Sequence, residues 1–194
     1  TLTVYTYDSF VSEWGPGPGI EAAFEARCGD CDLEFVALPG SFAELLEAPE
    51  EVKVILQDPR TSVTGQGLML WIKKLYGDRA PEIWARLNER VLAVTNGWSQ
   101  AYFSLFMNGE APMVLSYATS PAYHMAVEET DRYQAAAFEE GHYLQVETAA
   151  MLRTTERPEL ARDFLAFILT PAFQRHIPLG NIMNPAIDLG DALA

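Results

Sequence analysis

The chain has 194 residues, of which 49% are hydrophobic, 21% are charged and 11% are aromatic. This balance is typical of a globular protein of one domain or two small lobes, and it argues against intrinsic disorder, a collagen-like repeat and a disulfide-dense miniprotein. Lys and Arg number 13 and Asp and Glu number 27, for a net charge of -14. Because such a field repels phosphate backbones, the charge argues against nucleic acid as a partner.

Neither a membrane span nor a leader is visible in the sequence. Charged residues interrupt every apolar run before it is long enough to cross a bilayer. The chain begins directly in strand-like sequence at residues 1–7, without the features of a signal peptide. A mature exported protein and a cytosolic protein would both begin this way, so the start leaves the compartment open.

The first half of the chain alternates between strand and helix patterns. In chain order the patterns predict strand 2–7, helix 20–27, strand 33–37, a short helix after Ser41, strand 52–56, helix 65–76, helix 81–87 and strand 91–94. Ser41 with Glu44 three residues later has the spacing of a capping box.

The second half continues the alternation. The patterns predict helix 100–107, strand 113–117, helix 120–129, strand 143–149, helix 158–168 and a further turn at 173–176. Ser120 is predicted as the N-cap of its helix, because Pro121 follows it at the first helical position. Strands alternating with helices predict the α/β class.

Three junctions, each with a strand end that leads into a helix, could hold a ligand: residues 58–64, 95–99 and 116–120. They offer hydroxyls, helix-entrance amides that suit phosphate or carboxylate, and aromatic faces that suit a flat or cationic ring. Any one Ser or Thr there is more often only a helix cap. Trp98 taken alone is more often a core residue, but three junctions of one kind favour a pocket.

Signatures of catalysis and metal binding are lacking. The sequence has no nucleophile elbow, zinc-protease motif or P-loop, and no spacing ties together the isolated carboxylates Asp8, Asp58 and Glu147. Cys28 and Cys31 lack further soft ligands for zinc, and they follow a predicted helix, whereas a redox-active pair would open one. A disulfide and two free thiols remain alternatives for this pair.

Several segments together resemble the periplasmic thiamine-binding proteins, which are the solute receptors of thiamine ABC transporters. They are LTVYTYDSFVSEWGPGP at 2–18, DPRTS at 58–62, LWIKKLYGD at 70–78, NGWSQAY at 96–102, LSYATSPAYH at 115–124 and EGHYLQVE at 140–147. PELARDFLAFILTPAFQ at 158–174 is similar to a helix pattern shared more widely among periplasmic binding proteins.

The resemblance implies a class II periplasmic-binding fold whose two lobes close on a ligand. Residues 41–141 would form the second lobe, and residues 1–40 with 142–194 an incomplete first lobe. The ligand would be thiamine or a thiamine phosphate, with no cofactor and no enzymatic activity, and the partner an ABC transporter permease. Export to the periplasm would also suit a disulfide between Cys28 and Cys31.

The resemblance also implies a set of ligand-binding residues. Aromatic residues near the two rings of the ligand would be Tyr7, Trp14 and Tyr123. The other positions that match the family's site are Ser62, Val63, Trp98, Tyr117, Ala118, Thr119 and Ser120.

Three departures from the family keep other functions open. A long segment is absent between Leu38 and Ser41, the chain stops at Ala194 before the family's C-terminal helices, and Ile182 stands where a ligand-stacking Trp is expected. The alternatives are a receptor for a different small ligand and a truncated lobe that binds nothing and serves as a scaffold. An apolar face left by the absent segment would favour the scaffold, with dimerisation through that face. An enzyme that cleaves thiamine would need a cysteine in the cleft, and Cys28 and Cys31 are poorly placed for that role.

Overall fold

The computed structural model of the protein describes residues 1–13, 15–28 and 30–190, and for residues 7–9 it describes the backbone alone. The strands are β1 (Leu2–Tyr7), β2 (Leu33–Leu38), β3 (Val54–Gln57), β4 (Val91–Thr95) and β5 (Met113–Val114). The helices are α1 (Asp8–Val11), α2 (Gly17–Cys28), α3 (Phe42–Glu47), α4 (Val63–Tyr76), α5 (Ala80–Asn88), α6 (Ser120–Val127), α7 (Pro158–Ile168), α8 (Pro171–Gln174) and α9 (Ile177–Gly180). A 3-10 turn at Gly77–Arg79 and a π-helix at Gln100–Phe106 complete the elements of these residues.

The contacts between residues divide the chain into two units. Unit 1 comprises Thr1–Ser116 and Ala136–Leu144, and unit 2 comprises Tyr117–Ala135 and Gln145–Ala194. The two lobes expected from the resemblance have other boundaries, and those boundaries stay a prediction.

Unit 1 contains two parallel sheets. In the first, β1 pairs with β2 from Leu2 opposite Leu33 to Tyr7 opposite Leu38. In the second, β3 lies between β4 and β5 and runs parallel to both. Parallel neighbours need a crossover connection, which α2 supplies between β1 and β2 and α4 with α5 between β3 and β4. The α/β class predicted from the alternating patterns is confirmed.

The main hydrophobic core of unit 1 forms on one face of β3. All four β3 residues are buried, and Val54 and Leu56 join a cluster with Phe42 of α3 and Ile72 of α4. Ile55 points to the opposite face and packs in a smaller cluster with Ala101 and Ala111. Side chains of successive strand residues point to opposite faces, so this one short strand supplies both clusters.

One of the two bonds of the predicted capping box at α3 is present, and the Glu44 side chain reaches back to Gly40, one residue before the cap. The Glu44 backbone N–H donates to Ser41 Oγ at 3.1 Å, and the Gly40 N–H donates to Glu44 Oε2 at 2.8 Å. The first bond satisfies an amide that an uncapped helix start would leave without a partner, and the second ties the residue before the cap to the first turn of the helix.

One predicted strand and one predicted helix cap are wrong, and the strand predicted over 113–117 is limited to Met113–Val114. Residues 143–149 form no strand, and the apolar side chains of Leu144 and Val146 are 81% and 70% exposed. The alternation is real, but a strand also needs a neighbour for its backbone hydrogen bonds, and among the described residues none pairs with this segment. The predicted N-cap Ser120 is the first residue of α6 instead, and Thr119 occupies the cap position.

Unit 2 buries little apolar surface. The rings of Phe164, Phe167 and Phe173 pack together with centroids 5.8 to 6.3 Å apart, yet α7 has no buried residue. Among the described residues of this unit, Leu189 is the one buried hydrophobic side chain. His124 is fully buried, bonded through Nδ1 to Glu128 at 2.6 Å and packed on the Tyr133 ring at 4.2 Å.

Over the residues that the structure describes, we find no helix with both the length and the apolar character that a membrane crossing requires.

Gly65 sets how closely α4 approaches β3, and its substitution gives a test of the fold. A Cβ at this position would lie 2.4 Å from the Gln57 carbonyl oxygen and 2.9 Å from the Pro59 nitrogen, so backbone would have to move. We expect Gly65→Ala to lower the free energy of unfolding by about 1–3 kcal/mol, the usual cost of overpacking, as measured by urea denaturation.

Gly67 in the same helix is the matched control. A Cβ there would meet only the Tyr143 ring at 3.7 Å, an ordinary contact. Gly67→Ala should therefore raise the free energy of unfolding by roughly 0.5–1 kcal/mol through helix propensity. Equal effects of the two substitutions would contradict the close approach at Gly65.

Candidate functional site

The ends of three parallel strands form one edge of unit 1. We call the carboxyl edge the residues that end and follow β3, β4 and β5, namely 57–62, 95–98 and 115–116. The Asp58 N–H donates to the Thr95 carbonyl at 2.9 Å, and the Leu115 N–H donates to the Ile55 carbonyl at 2.9 Å. These bonds continue the sheet pairing to its end, where ligands of open α/β sheets bind.

The entrance of α4 lies at the carboxyl edge. The Ser62 N–H donates to the Asp58 carbonyl at 2.9 Å, and Ser62 occupies the N-cap position of the helix. Ser62 is buried, whereas the following Val63 is exposed. The first amides of a helix have no acceptor within it and carry the positive end of its dipole, so this entrance can receive an anion.

A buried polar chain links the α4 entrance to β5. Gln57, 2% exposed, donates from Nε2 to the Leu115 carbonyl at 3.0 Å. The Thr64 hydroxyl donates to Gln57 Oε1 at 2.5 Å, and Thr64 Oγ1 also bonds Ser62 Oγ at 2.8 Å. The sequence analysis missed Gln57. The sequence feature that could have identified it is a polar residue at the end of the apolar run 54–56, where a buried amide without a hydrogen-bond partner would be costly.

The turn after β3 is held by an ion pair between Asp58 and Arg60. The Arg60 guanidinium and backbone N–H donate to the Asp58 carboxylate at 2.5 to 3.0 Å. The hydrogen bonds from the Arg60 side chain, then that from its backbone, lower the pKa of Asp58 from 3.8 to about 2. An ionised carboxylate occupied in this way organises the turn and is a poor general base.

Trp98 follows the end of β4 and packs against neighbouring rings. Its Nε1 donates to Ser116 Oγ at 2.7 Å, and its ring is half-buried. The Tyr102 ring stacks on it at 4.7 Å with an interplanar angle of 20°, and Phe103 meets it edge-on at 5.3 Å. Trp98 is thus neither a core residue nor a free side chain. Tyr102, which the sequence analysis did not single out, supports it.

The loop that carries Trp98 is tied to the loop before α4. The Thr61 hydroxyl donates to the Asn96 carbonyl at 2.8 Å, and the Thr95 hydroxyl donates to the Gly97 carbonyl at 2.9 Å. Of the predicted ligand-binding residues, the structure therefore brings Ser62 and Trp98 to the same carboxyl edge, and Val63 follows Ser62 as the first residue of α4.

A second group of predicted residues lies at the start of α6 in unit 2. The Ser120 N–H donates to the Tyr117 carbonyl at 3.0 Å, which closes a turn through the exposed Ala118. Burial, with a further effect from the charge of Glu147, raises the pKa of Tyr117, while a hydrogen bond with Gln145 opposes the rise. The phenol of Tyr117 is therefore neutral at pH 7. Tyr123, half-buried on α6, contacts the His124 ring edge-on.

Ile182 contacts this second group through its backbone. The Thr119 hydroxyl donates to the Ile182 carbonyl at 2.5 Å. Ile182 has a φ of 57°, a left-handed conformation that is unfavourable for a β-branched residue. At the position where the resemblance predicts a stacking Trp, the main-chain carbonyl is thus hydrogen-bonded to the cap residue of α6.

The remaining predicted residues and groups are placed as follows. Tyr7 ends β1 in unit 1, and its side chain, like Trp14, lies outside the described residues. Cys28 ends α2 and forms a disulfide with Cys31, with the two Cα atoms 5.8 Å apart, as is usual for such bridges. In the described part of the chain, no group of three or more His, Cys, Asp or Glu could hold a metal ion.

Comparisons with known proteins agree with one another. A sequence profile of the family described as "Bacterial extracellular solute-binding protein" matches residues 35–177. The thiamine-binding periplasmic protein of Salmonella typhimurium is 39% identical over 268 aligned positions, covering 97% of this chain and 81% of the relative. The protein of the same name from Brucella suis is 41% identical over 266 positions, covering 96% and 79%. A solved structure, "Periplasmic thiamin binding protein", matches with a TM-score of 0.75 and 38% identity, covering 97% of this chain and 84% of that chain.

These matches are longer than the chain itself. They run over 268 and 266 aligned positions, whereas the chain has 194 residues, so many positions of the relatives within the match have no counterpart here. This agrees with the absent internal segment inferred from the sequence.

The Asp58–Arg60 pair gives a test by titration. Because the folded-state pKa of Asp58 lies below the ordinary value of 3.8, its stabilisation is present above about pH 4 and is lost as the pH falls toward 2. We expect Arg60→Gln to return the Asp58 pKa toward 3.8, as followed by carboxyl carbon NMR. The stability difference from the unaltered protein should be full at pH 7 and disappear as the pH falls below about 2.

Lys73→Gln is the matched control, because Lys73 pairs with Asp78 at 3.2 Å on the open surface. It should leave the titration of Asp58 unchanged. An Asp58 titration that is the same with and without Arg60 would refute the role assigned to this pair.

Proposed function

Because the chain belongs to the thiamine-binding periplasmic protein family of bacterial extracellular solute-binding proteins, we propose that it captures thiamine or a thiamine phosphate in the periplasm. The observation that carries the proposal is the joining of Trp98 and the α4 entrance on one carboxyl edge. The relatives' names and the solved structure of a periplasmic thiamin binding protein support the choice of ligand.

The chemistry of the carboxyl edge suits such a ligand. Thiamine carries a cationic thiazolium ring and a flat pyrimidine, and an indole held by hydrogen bonding and stacking offers a fixed aromatic face for either. The amides at the α4 entrance suit a phosphate ester. The acidic chain, with a net charge of -14, favours the approach of a cation.

We propose that residues of unit 2 also contact the ligand. The candidates are Tyr117, Ala118, Thr119, Ser120 and Tyr123, and the support is the similarity of LSYATSPAYH at 115–124 to the family. Tyr7 and Trp14 belong to the same proposal through the segment 2–18. A neutral Tyr117 phenol can both donate and accept a hydrogen bond at pH 7.

The proposed role is transport without chemistry on the ligand. The relatives are solute-binding proteins. We propose that this chain likewise uses no cofactor and hands its ligand to the permease of an ABC transporter.

Calorimetry with thiamine and then thiamine monophosphate, with Trp fluorescence in parallel, tests the capture. We expect saturable heat with quenching, and Trp98→Ala should weaken binding by about 1–3 kcal/mol through loss of the ring contact. Trp84→Phe is the control, since Trp84 packs against the core of unit 1, and it should keep the affinity. A folded protein that gives neither heat nor quenching would refute thiamine capture. The remaining alternatives would then be a receptor for a different ligand and a scaffold.

One observation favours the second candidate, a scaffold that pairs with another copy of itself. Helix α7 carries an exposed apolar face, which we define as Leu160, Phe164 and Phe167, exposed by 59%, 54% and 44%. Burying such a face against an identical one removes apolar surface from water on both copies.

Charge gives this second candidate a distinctive test. Two chains of net charge -14 repel each other, and salt screens that repulsion, so self-association should strengthen between about 0.05 and 0.5 M salt. Sedimentation velocity would measure it, with Phe164→Ser expected to abolish association. A monomer at both salt concentrations excludes the scaffold of paired copies.

A further inference from the structure

The hydrogen atoms in the buried polar chain at the carboxyl edge can be assigned from chemistry. The Leu115 carbonyl can only accept, so the group of Gln57 that faces it at 3.0 Å must be the amide nitrogen. The amide oxygen of Gln57 then faces Thr64 at 2.5 Å, and it can only accept. The single hydrogen of the Thr64 hydroxyl is therefore committed to Gln57.

This assignment fixes the direction of the next bond. Ser62 Oγ and Thr64 Oγ1 lie 2.8 Å apart, and Thr64 has no second hydrogen to give. Ser62 must donate to Thr64, which commits the only hydrogen of the Ser62 hydroxyl. What Ser62 Oγ still offers at the α4 entrance is a pair of acceptor sites.

We propose that Gln57 and Thr64 are specificity-determining residues, because they make the Ser62 hydroxyl an acceptor toward the ligand. An acceptor favours a ligand group that donates, such as a hydroxyl or an amine. A phosphate dianion has only acceptor oxygens, so it meets the α4 amides favourably but meets unpaired lone pairs on Ser62. The site thus prefers the unphosphorylated ligand at this position, because the acceptor oxygen of Ser62 would face the acceptor oxygens of a phosphate group.

This inference rests on the proposed function, in which Ser62 contacts the ligand. It goes further by ranking two forms of that ligand and by naming two buried residues that need not touch it. Gln57 is 2% and Thr64 6% exposed, so both act through the orientation of Ser62.

The test compares the affinities for thiamine and thiamine monophosphate by calorimetry at pH 7.5, where the phosphate is mainly a dianion. Thr64→Val removes the acceptor of the Ser62 hydrogen and keeps the shape of the side chain. The hydrogen is then free to donate to phosphate, so affinity for the monophosphate relative to thiamine should rise about tenfold, the size of one hydrogen bond to a charged group.

Thr170→Val in unit 2 is the matched control. The Thr170 hydroxyl bonds only the Phe167 carbonyl at 2.7 Å among the partners the structure describes, so the ratio of affinities should not change. An unchanged ratio in Thr64→Val, or an equal rise in Thr170→Val, overturns the assignment. If Thr64→Val does not fold, Ser62→Ala replaces it, and it should weaken thiamine more than its monophosphate; the opposite order overturns the assignment.

A ligand-free measurement separates failure of this inference from failure of the proposed function. If the folded protein binds neither ligand, thiamine capture is refuted. NMR of the slowly exchanging hydroxyl protons still shows which of the Ser62 and Thr64 hydroxyls donates and which accepts. The Thr64 hydroxyl proton should show a nuclear Overhauser effect to the Gln57 side chain and the Ser62 hydroxyl proton one to Thr64. A Thr64 hydroxyl proton directed at Ser62 refutes the assignment.

Discussion

The burial of β3 between two parallel neighbours is the constraint on which unit 1 depends. A strand covered on both faces must be apolar along its length, and Val54–Leu56 meet that requirement. Where the strand ends, the buried polar side chain of Gln57 must find partners, and it finds them directly after β5 and on α4. The same bonds that satisfy Gln57 therefore fix the positions of the α4 entrance and the end of β5. These positions determine the geometry of the candidate site.

The features that sequence reasoning predicted correctly depend on short stretches of chain. The capping box joins Ser41 to Glu44, and the alternation of strands with helices needs only the apolar period. The fold class, a periplasmic binding protein, came from motifs and is confirmed by the solved structure with a TM-score of 0.75. The three strand-to-helix junctions were also found, and Ser62 and Trp98 do lie on one edge.

What sequence reasoning missed depends on partners far along the chain. The Gln57 side chain donates to a carbonyl 58 residues away in the sequence, and no local sequence pattern predicts that contact. The predicted strand at 143–149 failed for the same reason, because alternation of apolar residues says nothing about whether a neighbouring strand exists.

The disulfide between Cys28 and Cys31 has a consequence for the order of folding events. Its ends are separated by only three positions in sequence, so bringing them together costs little loop entropy and takes far less time than assembling a parallel sheet. Forming the bridge therefore does not require that β1 and β2 have paired. It acts as a local clamp on the turn into β2, and its presence in a sample does not report whether the rest of the protein has folded.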